Sequence, residues 1–291
     1  MDTKECFALI KDKFPHLFTI DPENNSITLK PGFGNIPPFT LVCVEGGEFK
    51  MGSNELSDRE KPPHKVKVNS FFMAEFPVIQ ELYKGLTGKN PSRFEGVDHP
   101  VEQVSWFDAT AFCNQLNQLL ALTKPYSGKE DATQCNFDCV AFRLPTEAEW
   151  EFAACGGAVE THGRASLPGS SPQPQFSGSD FSDDVAWYDQ NNEYETKPVG
   201  LKFPNSLGLY DMSGNVWEWC WDRFDDNYYK GSPIENPTGP SEGPRRVLRG
   251  GSWDDDAGDS RVAIRVSGTP GNSWDNRGFR LLFALEFTSG S

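Results

Sequence analysis

Thiols and imidazoles are the side chains best able to act as nucleophiles or soft metal ligands, and this sequence carries seven cysteines and four histidines. The cysteines stand at 6, 43, 113, 135, 139, 155 and 220, an odd count with no C-x-x-C pair. Cys135 and Cys139 have a metal-like spacing, but no matching Cys or His pair follows them. Disulfide pairing cannot be read from spacing. Mostly buried free thiols are expected, because Cys is among the most buried residue types. His16, His64, His99 and His162 are scattered without an H-x3-H pair, and His64 and His99 adjoin proline, which predicts loop positions. A facial iron site needs histidines converging with a carboxylate, and nothing here has that spacing. Gly250-Gly251-Ser252 is not the G-x-S-x-G turn of a serine nucleophile, so Ser252 is expected to bond locally. Asp254-Asp255-Asp256 offer hard oxygens, yet no EF-hand spacing follows. No catalytic residue and no catalytic cofactor is predicted.

Composition narrows the classes further. Lys and Arg number 27 against 42 Asp and Glu, a net charge of −15 over 291 residues. That balance argues against a nucleic-acid partner, which needs a basic surface facing phosphate. No apolar run approaches the ~20 residues of a membrane span. The start, Met1 to Phe7, has no basic stretch leading into an apolar one, so no signal peptide is read in it. At 27 Gly and 22 Pro, many turns and few long helices are expected.

The elements follow from period and punctuation. Residues 1–38 read as an N-terminal accessory segment, with Phe7, Leu9, Ile10, Phe14 and Leu17 on a rough helical face and a turn at Asp21 to Ser26. Short strands are expected at Phe39–Val44, Glu48–Met51 and Val66–Met73. A helix is expected from Ile79 to Leu86, stopped by Gly88. Another starts at Ser105, boxed by Asp108, and a third at Thr146, boxed by Glu149 and stopped by Gly156-Gly157. Residues 157–185 have no period and read as a long surface loop. Trp217, Trp219 and Trp221 alternate like a strand, with further strands at Val247–Trp253, Arg261–Val266 and Gly278–Leu285. The class is α+β.

Several ordered stretches resemble one family: Gly46-Gly-Glu-Phe-Lys-Met-Gly-Ser53, Pro100 to Trp106, Phe142-Arg-Leu-Pro-Thr-Glu-Ala-Glu-Trp-Glu-Phe-Ala-Ala154, Asn205 to Trp219, Arg249-Gly-Gly-Ser-Trp253 and Gly278-Phe-Arg-Leu281. They are similar to the formylglycine-generating-enzyme (sulfatase-modifying factor) superfamily. The resemblance runs from about 39 to 287 and implies a C-type-lectin-like fold over 39–291, low in regular structure. The family's oxidases bind copper with two cysteines shortly after Gly-Gly-Ser. The matching stretch here, Ser252 to Arg265, has none, and no Cys follows Cys220. Ile79 stands where the family often has a capping Thr, so other groups must satisfy that helix start.

The closest subgroup by texture is the variable proteins of diversity-generating retroelements, in which RNA-templated randomisation of adenines diversifies a C-terminal segment of a lectin fold. The segment here is 247–281. Its framework is Gly250, Gly251, Ser252, Trp253, Ala257, Arg261, Ala263, Arg265, Pro270, Gly278, Phe279 and Arg280. The variable, ligand-binding positions implied are Asp254, Asp255, Asp256, Gly258, Asp259, Ile264, Val266, Ser267, Gly268, Gly271, Asn272, Asp275 and Asn276, with Trp274 as an anchor. An AAC codon randomised at its adenines reaches Asp, Gly, Ile, Val, Ser and Asn but not Lys, Glu, Gln, Met or Trp, and none of the first four occurs from 254 to 276. Trp274 would then be fixed or come from another codon. Phe279 is expected in the core, and Arg265 and Arg280 on carboxylates or carbonyls. The resemblance also implies a structural Ca²⁺ held by the carboxylates of Asp211 and Glu218 and the carbonyls of Gly214 and Val216; the alternative reading gives both carboxylates to Arg or backbone donors. A non-catalytic, monomeric receptor-like protein at the cell surface or outside the cell is expected, its ligand an unnamed protein or cell-surface molecule. The alternative is an enzyme, or degenerate enzyme, of the formylglycine-generating family.

Overall fold

A computed structural model describes residues 1–157 and 174–285. Helices begin where a side chain can take up the first unpaired amides. Asp2, Ser105 and Thr146 each accept from the third helical amide while an acid there reaches back to the cap, which fixes the helices Thr3–Lys13, Trp106–Leu119 and Glu147–Ala154. The helix Gln80–Thr87 has no side-chain cap at Ile79. Its first amides instead bond the carbonyls of His99 and Val97, at 2.9 and 3.0 Å. Gly88 closes it in the left-handed conformation, as the sequence predicts.

Six antiparallel strands form the main sheet, in the order Phe18–Asp21, Ser26–Leu29, Thr40–Val44, Phe71–Ala74, Leu282–Ala284, Ala141–Arg143. Successive strand residues face opposite sides, so each face carries its own core. Phe72 and Phe283 pack with Trp106, Phe112 and Phe142 on one face. Phe71, Met73, Leu282 and Ala284 pack with Trp150, Phe152 and Met212 on the other. The N-terminal residues belong to this body: Cys6, Ile10, Leu17, Phe18, Ile27 and Leu29 lie in the first core. Residues 1–38 therefore extend the sheet and cover part of its core.

A second sheet positions the C-terminal segment. Its order is Val266–Gly268, Arg246–Arg249, Trp217–Arg223, Arg277–Gly278, the last pair being parallel. Residues 250–265 loop between two adjacent strands of this sheet, and 269–276 cross from one edge to the other. Some expected strands differ. Val66–Met73 divides into His64–Val68 and Phe71–Ala74, while Arg261–Val266 is largely non-strand, and Val266 alone of it joins the strand Val266–Gly268. Most of the expected 157–185 loop lies outside the described residues; its end forms the short helix Ser182–Val185, with Phe176 and Val185 buried. All seven cysteines are free thiols, with Cys6, Cys43, Cys113 and Cys220 buried. Among the described residues, no helix is long and apolar enough to cross a membrane.

Candidate binding surface

Four buried arginines fix the frame of the C-terminal segment. Arg265 donates to both oxygens of Glu147 at 2.7 Å, and Tyr229 also reaches that carboxylate. Arg249 lies beside the same Glu147, bonds Glu151, and takes the carbonyl of Val262 at 3.2 Å. Arg261 holds Glu60 at 2.8 and 3.2 Å and the Gly258 carbonyl at 3.0 Å. Arg280 bonds Glu218 and the carbonyls of Ala74, Glu75 and Tyr210. Burial pushes the Glu147 carboxyl up, but Arg265 and Arg249 outweigh it and hold the group below its usual range. Such pairs add little over an apolar core but are costly to break, so they fix one geometry. The inward arginines and the core position of Phe279 agree with the sequence reading.

The loop between these anchors starts at Gly250 and Gly251, whose φ values of 98° and 77° are left-handed. A Cβ on Gly251 would sit 2.6 Å from the Asp259 carbonyl, so the turn Ala257–Ser260 packs directly on bare backbone. Ser252 bonds Asp255 locally, and the Trp217 indole donates to the same carboxylate at 2.8 Å. Burial raises the Asp255 carboxyl and these two bonds oppose the rise. The Trp253 indole reaches the Asp275 carbonyl at 3.0 Å, tying the two loops together, while Phe94 packs edge-on against Trp253.

The implied variable positions divide by burial. Asp254, Asp256, Gly258, Gly271, Asn272 and Trp274 are exposed, Trp274 by 56%. Asp259, Val266, Ser267, Asp275 and Asn276 are half-buried, and Asp275 pairs with Arg93 at 2.5 Å. Two positions, Ile264 and Gly268, need correction, and Asp255 is held in place. Ile264 is buried in the first core. Gly268 is buried against Trp219, whose ring would lie 2.5 Å from a Cβ there. Asp255 is half-buried and spends its carboxylate on Ser252 and Trp217. Ile264 and Gly268 are frame positions, and Asp255 is braced by the frame. Sequence reasoning also missed Arg93 and Phe94, which border the surface, because they stand far along the chain from the loop residues that they meet, Asp275 and Trp253.

The calcium expectation meets a poor fit. Glu218 accepts from Arg280 at 2.8 Å and from the Trp150 indole at 2.7 Å, so a cation on it would share the carboxylate with a guanidinium. Asp211 takes the Gly200 amide at 2.8 Å and the Asn215 side chain, and burial pushes its carboxyl up to about 6. Among the described residues, no group of three or more His, Cys, Asp or Glu side chains converges to hold a metal. Arg280, the Trp150 indole, the Gly200 amide and the Asn215 side chain thus already engage the two carboxylates.

The chain matches the sulfatase-modifying factor enzyme 1-like domain family over residues 35–285. It is 34% identical to the chaperone protein LppX of Paenibacillus barcinonensis over 73% of this chain and 78% of that one. It is 38% identical to the formylglycine-generating enzyme of Streptomyces coelicolor, covering 67% of this chain and 55% of that enzyme. It spans only 38% of a third relative, the serine/threonine-protein kinase pkn1 of Chlamydia caviae. Among solved structures, Treponema denticola variable protein 1 superimposes with a TM-score of 0.78 at 33% identity, over 89% of this chain and 99% of that one. The mixed architecture with few helices is thus that of a C-type-lectin-like fold, and the chain belongs to the sulfatase-modifying factor (formylglycine-generating-enzyme-like) family.

Proposed function

We propose that this protein is a non-catalytic binding protein whose exposed C-terminal loop residues are exchangeable contacts, diversified as in the variable proteins of retroelements. One observation carries the reading: Asp254, Asp256, Gly258, Gly271, Asn272 and Trp274 are exposed while the arginines between and beside them are buried on carboxylates. Side chains can then change at the first set without disturbing the second. Small polar residues supply adaptable hydrogen bonds, and Trp274 supplies a large anchor. The acidic character favours a basic or amide-rich partner, and a diversified receptor must face its targets at the cell surface.

The test is genomic. DNA beside the gene should hold a second copy of the stretch coding for 247–281, differing at adenines, near a reverse-transcriptase gene. Absence of such a copy removes diversification from the proposal. The second reading, an enzyme, rests on the identity to the Streptomyces coelicolor formylglycine-generating enzyme. Aerobic turnover of a cysteine-bearing sulfatase peptide with copper would establish it and overturn non-catalytic binding.

A further inference from the structure

Among the described residues six arginines are buried, and five of them, Arg143, Arg249, Arg261, Arg265 and Arg280, have a carboxylate within ion-pair distance. Arg246, only 2% exposed, has none among the described residues. Its guanidinium lies 3.7 Å from the Trp106 ring centre and 4.9 Å from that of Trp221, and one nitrogen donates to the Trp221 carbonyl at 2.5 Å. A guanidinium has five N–H donors in a planar fork, so most of its donor capacity is unspent. Asp222 and Asp131 favour its charge only from beyond ion-pair distance, and one Asp222 oxygen is already taken by the Glu147 amide at 2.8 Å.

Arg246 and Arg223 line a cavity of about 510 Å³ to which none of residues 250–276 contributes. Arg223 is held there by the carbonyls of Gly243 and Asp131. Phe137 and Trp221 form an aromatic wall, their rings 5.8 Å apart and edge to face, and Thr238 and Ser241 add hydroxyls. Burial, then the repulsion of Arg223, pushes Arg246 down to about 10, so it stays charged at neutral pH while remaining unpaired. Among the described residues neither guanidinium has a carboxylate within ion-pair distance; Asp131 is the one acidic residue lining the cavity, so the two cations outnumber it there in a protein of net charge −15.

We propose that this cavity is a binding site for a small planar organic carboxylate, with Arg246 pairing its oxygens, Arg223 flanking them and the Phe137–Trp221 wall covering the apolar body. The volume is ordinary for a small-molecule pocket, and the fork geometry of Arg matches a carboxylate. The exposed loop residues do not line it, so the proposal stands whether or not those loops are diversified.

Calorimetric titration of the whole chain with benzoate tests it, with benzamide as the neutral analogue of the same shape. Benzoate is expected to bind with a Kd at or below about 1 mM, and benzamide at least about tenfold more weakly. Arg223→Gln is expected to weaken benzoate about tenfold. Arg245→Gln, which alters the same net charge outside the cavity, should leave binding unchanged. Arg246→Lys keeps the charge but loses the fork and is expected to weaken binding as well, yet it can disturb packing between the tryptophans, so Arg223→Gln is the deciding variant. Equal binding of benzamide, no benzoate binding, or equal losses in the Arg223 and Arg245 variants would overturn the proposal.

Discussion

Replacing Glu102 by Gln isolates a buried charge beneath the proposed contact surface. Glu102 is fully buried; one carboxylate oxygen takes the Phe94 amide at 2.8 Å and the other has no partner. Burial, partly offset by the Phe94 and Arg93 amides, pushes its carboxyl up from 4.5 to about 7. The charged groups that it feels are Asp275, which raises it, and Arg93, which lowers it. Because the folded value lies above the unfolded one, the native state keeps a proton that the unfolded chain loses between about pH 4.5 and 7. Stability is therefore full below that window and falls across it. Moving the carboxyl from 4.5 to about 7 corresponds to about 3 kcal/mol at pH 8. Gln resembles the protonated acid in shape and keeps an acceptor for the Phe94 amide. Urea unfolding should give Glu102→Gln and the parent protein equal stability at pH 4, with the variant about 3 kcal/mol more stable at pH 8. A constant difference across the range, or a variant less stable at pH 8, would refute the reasoning.

Other outcomes follow from the same geometry. Glu147→Gln leaves Arg265 and Arg249 short of a counter-ion and is expected to cost about 3–5 kcal/mol in a denaturation series. Replacing the exposed Asp254 and Asp256 together by Ser should change stability by less than about 1 kcal/mol, while weakening and desensitising to salt any binding to a basic partner. Chelation with EDTA should leave the melting temperature unchanged, because Arg280 and Trp150 already engage Glu218; a clear fall would restore the calcium expectation.

Local signals were the legible ones. The boxes at Ser105/Asp108 and Thr146/Glu149 involve residues three apart, and both helices start where those residues place them. Ordered motifs across the chain carried the family and with it the fold. Burial of loop residues was not legible, because it is decided by distant partners. Asp255 looks like its neighbours Asp254 and Asp256 until Trp217 and Ser252 close on it. Gly268 looks like a tolerant turn residue until the Trp219 ring is found against it. Residues 1–38 have no motif, and only the pairing of Ser26–Leu29 with Thr40–Val44 reveals that they belong to the main sheet. The lack of a counter-ion at Arg246 is equally a three-dimensional fact, since Arg246 and Arg249 sit in the same strand and differ only in what faces them.

Sequencing the stretch that codes for 247–281 across many cells of the source population bears most directly on the account. Substitutions are expected at adenines and concentrated at 254, 256, 258, 271 and 272, with Gly251, Arg261, Arg265, Gly268 and Arg280 constant. Uniform scatter over frame and surface codons, or a stretch as invariant as the rest of the gene, would contradict it.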